Sequence, residues 1–218
     1  MTKRTRIVTA NAAFLAVCLG LLMSGCSSAV EDDTKAEEAL KALGGTAFLR
    51  DRGGEGNITS LSFGAAKDTD AALKAARQEL EGLKKLSRLD LTQSKVTDAG
   101  LKEIAGLKNL HFLLLAGTKV TDAGLKELAG LKNLQELDLD EVAEITDAGL
   151  KELAVLENLQ SLNLRFTNVT DAGLKELAGL KNLLRVYCSG SHVTDAGEKQ
   201  LRSALPKCEI SHGMTKKK

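Results

Sequence analysis

The chain has 218 residues, with 30 basic and 29 acidic side chains and a formal charge of +1. So neutral a body carries no electrostatic footprint for nucleic acid. Hydrophobic residues make up 43% but aromatics only 3%, so any core must be filled by aliphatic side chains.

In chain order, Lys3, Arg4 and Arg6 form a basic start, Ile7 to Met23 is mostly apolar, and "MSGC" ends at Cys26. The apolar run is shorter than the roughly twenty residues a spanning helix needs. Basic start, apolar middle and small-residue exit describe an export signal. The segment resembles a bacterial lipoprotein signal, with "MSGC" in the place of the lipobox. That resemblance implies lipidation of Cys26, removal of residues 1–25 and a membrane-anchored protein of the cell envelope. An ordinary secretory signal with an incidental cysteine is the other reading. Removing three basic residues would leave a charge of −2. Residues 26–33 then form a lipidated tether whose seven residues after the cysteine reach at most ~25 Å. Residues 34–57 read as an N-terminal cap: a helical pattern ending at Gly44-Gly45, a strand over Thr46–Leu49, then a turn. Residues 213–218 read as a solvated basic tail.

From Thr97 onward one phrase recurs. "TDAGLKEIAGLKNL" is followed by near-copies beginning at Thr121, Thr146 and Thr170 and a shortened one at Thr194, at spacings of 24, 25, 24 and 24 residues. Between them lie apolar triples: Leu86/Leu89/Leu91, Leu110/Leu113/Leu115, Leu134/Leu137/Leu139, Leu159/Leu162/Leu164, Leu183/Val186/Cys188 and Leu205/Cys208/Ile210. Ile58/Leu61/Phe63 is a first member. Over residues 58–212 this pattern resembles the leucine-rich-repeat family. The resemblance implies an α/β solenoid, a right-handed curved coil with a parallel sheet on the concave face and short helices on the convex one. One unit cannot bury its own leucines; stacking joins them into a continuous core.

Within each phrase the threonine, or the aspartate after it, suits a helix N-cap, and the aspartate suits the helix dipole. Leu101, Ile104 and Leu107 face the core, and Gly106 ends the helix with a positive φ. The position usually held by asparagine in this family, where it ties successive turns together, carries Ser94, Thr118, Thr167 and Ser191, hydroxyls able to serve the same turns. An extra residue in "DLDEVAEIT" should bulge at the end of its strand.

The repeated positions are nearly identical, so specificity must lie on the strand face. Outward positions form rows: Arg88, Phe112, Glu136, Ser161 and Arg185; Asp90, Leu114, Asp138, Asn163 and Tyr187; Thr92, Ala116, Asp140, Arg165 and Ser189; Gln93, Gly117, Glu141, Phe166 and Gly190. Phe112 and Leu114 make an apolar spot beside an acidic one of Glu136, Asp138, Asp140 and Glu141, and Arg165, Phe166, Arg185 and Tyr187 follow. Aromatic and arginine anchors amid polar groups have the composition of an interface. The expected partner is a protein or peptide. A self-associating envelope component and a glycan-binding protein with aromatic stacking platforms are the alternatives. No catalytic constellation, metal spacing or cofactor motif is present in the sequence. Cys188 and Cys208 are expected on neighbouring strands, with Cys208 beside Val186, as buried thiols or as a disulfide.

Overall fold

The computed structural model describes residues 47–52, 58–63 and 68–212. Signal, Cys26 and tether lie outside the described residues, as do positions 34–46 and 53–57 of the expected cap and the tail at 213–218. Strands β1 (Ala47–Arg52) and β2 (Ile58–Phe63) pair antiparallel. The expected strand over Thr46–Leu49 therefore extends further, to Arg52, and closes the first edge of the sheet.

From β2 on every pairing is parallel, through β3 (Arg88–Asp90), β4 (Phe112–Leu114), β5 (Glu136–Asp138), β6 (Ser161–Asn163), β7 (Arg185–Tyr187) and β8 (Glu209–Ser211), in one eight-stranded sheet whose spatial order is the chain order. Helices alternate with the strands: α1 (Thr69–Ala75), α2 (Arg77–Gly82), α3 (Asp98–Ile104), α4 (Asp122–Leu125), α5 (Asp147–Leu153), α6 (Asp171–Glu176) and α7 (Asp195–Ala204). This is the expected α/β solenoid. Leu89, Leu113, Leu137 and Leu162 are in lateral register and fully buried, with helix-side leucines such as Leu101, Leu125, Leu150 and Leu174 closing the core against them. Among the described residues no helix is long and apolar enough to cross a membrane.

The TDAG phrase does more than cap. Each threonine Oγ1 accepts the N–H of the alanine two residues on, as in Thr121 with Ala123 at 3.2 Å, so threonine is the N-cap. The aspartate serves the next coil. Asp98 accepts the Thr121 N–H on Oδ1 at 2.8 Å and its hydroxyl on Oδ2 at 2.7 Å. The same pair of bonds joins Asp70 to Thr97, Asp122 to Thr146, Asp147 to Thr170 and Asp171 to Thr194. The glycine is fixed by the same contact, since a Cβ on Gly149 would lie 2.3 Å from Asp122 Oδ1.

A second ladder sits at the entry to the strands, and the sequence reading did not find it. Asn109, Asn133, Asn158 and Asn182 each donate Nδ2–H to a main-chain carbonyl of the preceding coil, at Lys84, Lys108, Lys132 and Glu157. The hydroxyls expected to tie turns together act inside their own coil instead, Thr118 and Thr167 each donating to the carbonyl three residues back at 2.7 Å.

Three further expectations are corrected. Gly106 is not left-handed: among the described residues only Gly117 and Gly190 are glycines with positive φ. The inserted residue does not bulge the strand. Register holds through Glu141 N–H to Arg165 O, and the extra length is taken up in a tight turn, Ile145 N–H to Val142 O. Finally, Val186 pairs with Ile210, so Cys208 lies opposite Leu184 rather than beside Val186. It is thus four residue positions from Cys188 along the strand direction rather than two. Both thiols are free and buried, and burial pushes Cys188 up to about 12 and Cys208 up to about 11.

If the carboxylate ladder fixes the coil spacing, Asp122→Ala, which removes two bonds to Thr146, should cost about 2–4 kcal/mol in urea unfolding. Asp171 is held below its ordinary value, chiefly by the Thr194 hydroxyl and then by the Thr194 N–H. A carboxylate so depressed stabilises the fold above its unfolded pKa of about 3.9, and that contribution is lost as pH falls through the lower folded value. Thr194→Val should therefore lower the urea midpoint at pH 6, and the gap from the parent chain should shrink as pH falls below about 3.9.

Candidate functional site

The four predicted rows exist as drawn. Arg88, Phe112, Glu136, Ser161, Arg185 and Glu209 are lateral neighbours, and Asp90, Leu114, Asp138, Asn163, Tyr187 and Ser211 form the next row. Beyond the strands the pairing continues through Gln93 N–H to Ala116 O, Gly117 N–H to Asp140 O, Glu141 N–H to Arg165 O and Phe166 N–H to Ser189 O. At ~4.8 Å per strand, β3 to β7 present a surface about 20 Å across.

The second row is partly structural. Asp90, Asp138 and Asn163 each accept the N–H two residues on with Oδ1, closing Asx turns that end β3, β5 and β6. The spacing of an Asp or Asn two residues before the unpaired N–H was visible in "DLT", "DLD" and "NLR" and was overlooked. Leu114 and Tyr187 hold the same position without a side-chain acceptor for that bond. They are the two members of this row, among β3 to β7, whose side chains are released from it.

The fourth row has an unexpected backbone. Gln93 (φ 57°), Gly117 (φ 65°), Glu141 (φ 58°), Phe166 (φ 54°) and Gly190 (φ 78°) are all left-handed. Coils ending in this conformation turn sharply away from the sheet, and for the three non-glycine residues it costs on the order of 1 kcal/mol or more each. Glycine at the neighbouring coil makes room: a Cβ on Gly190 would lie 2.4 Å from the Phe166 ring, and one on Gly117 would meet the Gln93 amide.

The predicted residues divide into three groups. Glu136, Asp138 and Asp140 line β5 and its exit, while Glu141 is exposed on its left-handed turn. Burial raises Asp138, opposed by the Asp140 N–H, with the nearby Asp140 and Glu136 charges pushing the same way as burial. The cation near this acidic group is Arg165, 3.9 Å from Asp140. The expected apolar spot at Phe112 and Leu114 is half-buried, and the Arg88 guanidinium lies 5.5 Å from the Phe112 ring centre. The more open aromatics are on the other side: Phe166 is 51% exposed and Tyr187 38%, with Arg165 5.9 Å from the centre of the Phe166 ring. Leu184, just before β7, is also exposed.

The histidines are tied into the frame. His111 Nδ1 lies 2.8 Å from the Asn109 carbonyl, His192 Nε2 3.2 Å from Asn168 Oδ1, and His212 between Asp195 and Glu198. A cavity of about 200 Å³ opens away from the rows, between α2 and the turn at Leu107 to Asn109; it is smaller than typical ligand pockets of roughly 300–1,000 Å³. Gly190→Ala, which adds a Cβ to a left-handed residue beneath the Phe166 ring, should lower stability by about 1–3 kcal/mol in urea unfolding.

Comparison with known proteins gives the same picture. A family model described as "Leucine Rich repeat" matches residues 82–105 and 155–178. No curated protein matches the chain. Among solved structures, an internalin (inlC2) from Listeria monocytogenes is 26% identical with a TM-score of 0.55, covering 83% of this chain and 74% of that one. Another Listeria internalin (inlF) is 20% identical with a TM-score of 0.53, covering 71% of this chain. This chain spans 47% of that protein's length. The chain thus carries leucine-rich repeats and folds as a leucine-rich-repeat solenoid.

Proposed function

We propose that the protein is a non-enzymatic binding module that presents its concave sheet to a protein or peptide at the bacterial cell envelope, held at the membrane by lipid on Cys26. Solenoids of this kind use their curved faces as extended binding surfaces, and their repeated positions are committed to the frame. The observation that carries the reading is Phe166. It is a half-exposed aromatic ring on a left-handed backbone, with the Arg165 guanidinium 5.9 Å from its centre, where a glycine would relieve the strain. A position that gives up stability to display a large apolar side chain in water has the profile of a recognition residue. Phe112, Leu114, Glu136, Asp138, Asp140, Glu141, Arg165, Arg185 and Tyr187 complete the proposed surface.

Phe166→Gly separates binding from folding. It removes the ring and relieves the backbone, so the urea midpoint should hold or rise slightly while capture of a partner from an envelope extract falls. Tyr187→Ala should act in the same direction. Capture that persists in both variants places recognition elsewhere. In the same cells Cys26→Ser should release the protein from membranes, and continued membrane association would overturn the anchor.

A further inference from the structure

The first row holds a feature that its composition alone does not reveal. Glu136 and Arg185 stand in one lateral line, two strands apart, with Ser161 of β6 between them. Ser161 is only 7% exposed, so β6 forms a floor between two taller walls. One wall is β5, with Glu136 and Asp138; the other is β7, with Arg185 and the exposed Tyr187. Neither Glu136 nor Arg185 makes a side-chain hydrogen bond or ion pair among the described residues. The nearby charged link is that of Arg165 with Asp140, two rows further on at 3.9 Å, which joins the ends of β5 and β6. The two walls therefore face each other with opposite charge and are not closed by each other.

We infer that this pair of opposite charges takes a segment of a partner protein in the polyproline II conformation, running across the strands over Ser161, with one basic and one acidic side chain three residues apart. The inference rests on the concave-face reading above. The spacing follows from the two geometries. Two steps of the parallel sheet are about 10 Å. A polyproline II chain advances ~3.1 Å per residue with three residues per turn, so side chains three apart cover about the same span and point the same way. The basic side chain meets Glu136 and Asp138. Asp138 gains most from this, because its raised pKa reflects burial among like charges that a cation would offset. The acidic side chain meets Arg185, and the intervening residues lie over Ser161 with Tyr187 of the next row beside them. Opposite charges at fixed separation also set the segment's direction, since a reversed segment would place like charges together.

Selection of random dodecapeptides on phage against the full chain tests this. Glu136 and Arg185 use no side-chain bond in the fold, so Glu136→Lys and Arg185→Glu should leave the urea midpoint unchanged. Enriched peptides should carry Lys or Arg and Asp or Glu at a separation of three. Glu136→Lys should weaken such a peptide at least about tenfold, and reversing the peptide's basic residue to Glu should restore its binding. Arg185→Glu should be rescued in the same way by reversing the acidic residue. Peptides that lose affinity with Phe166→Gly or Tyr187→Ala but ignore both charge reversals overturn the spacing rule while leaving the concave surface standing. Peptides indifferent to all four variants, or no enrichment at all, overturn the surface and this inference together.

Discussion

A single threonine hydroxyl is used twice in each of the five coils from Thr97 to Thr194. Its proton goes to an aspartate of the coil before, and its lone pair takes the first free N–H of its own helix; at Thr121 these bonds are 2.7 and 3.2 Å. The aspartate in turn accepts that threonine's main-chain N–H, so one carboxylate and one hydroxyl set the height, tilt and start of each helix. No other side chain fits readily. Valine lacks the hydroxyl, asparagine supplies only one acceptor oxygen, and a Cβ in place of the glycine collides with the carboxylate. The near-verbatim repetition of TDAG follows from that set of mutual demands.

With the helix side fixed there and the strand entries fixed by the asparagine ladder, three residues of strand per coil suffice to complete the frame. Between the two ladders the chain has latitude. The inserted residue near Ala143 shows how much: it is absorbed in a turn, and Thr146 still meets Asp122 at 2.9 Å. The outward strand positions carry almost none of the frame's bonds, apart from the Asx turns of Asp90, Asp138 and Asn163. They are free to differ, and they do.

This division also explains what was legible in the sequence. Burial is a property of residue type at fixed spacing, so the leucine triples gave the solenoid, the strands and the row register directly. Thr97 as a cap was legible because capping is local. The aspartate's true partner was not, since it lies one coil away and nothing local distinguishes a dipole-facing carboxylate from one reaching to a neighbour. The last triple was misaligned because Cys208 and Ile210 are two apart, as the last two members of every triple are, whereas Ile210 pairs with Val186, the middle member. Phe166 was singled out as an outward aromatic. Its left-handed backbone escaped notice because glycine holds that position in only two of the five coils, too few to mark the row as one that needs positive φ.

The ladder also bears on how the molecule meets others. Among the described residues no coil follows its last aspartate, Asp195, and His212 Nε2 lies 2.7 Å from Asp195 Oδ1 while Nδ1 lies 2.5 Å from Glu198. A second copy adding end to end, as another coil would, must displace this contact before its own threonine can bind. It must also pair with β8 past exposed Pro206, Lys207 and Glu209, residues that discourage strand addition at an edge. The first edge is already covered by the antiparallel β1. Among the described residues β1 covers the edge of β2 and His212 covers Asp195, whereas the strand face between them keeps Phe166 and Tyr187 in water. In the proposed reading that face meets the partner, because the exposed Phe166 and Tyr187 side chains there carry none of the frame's hydrogen bonds.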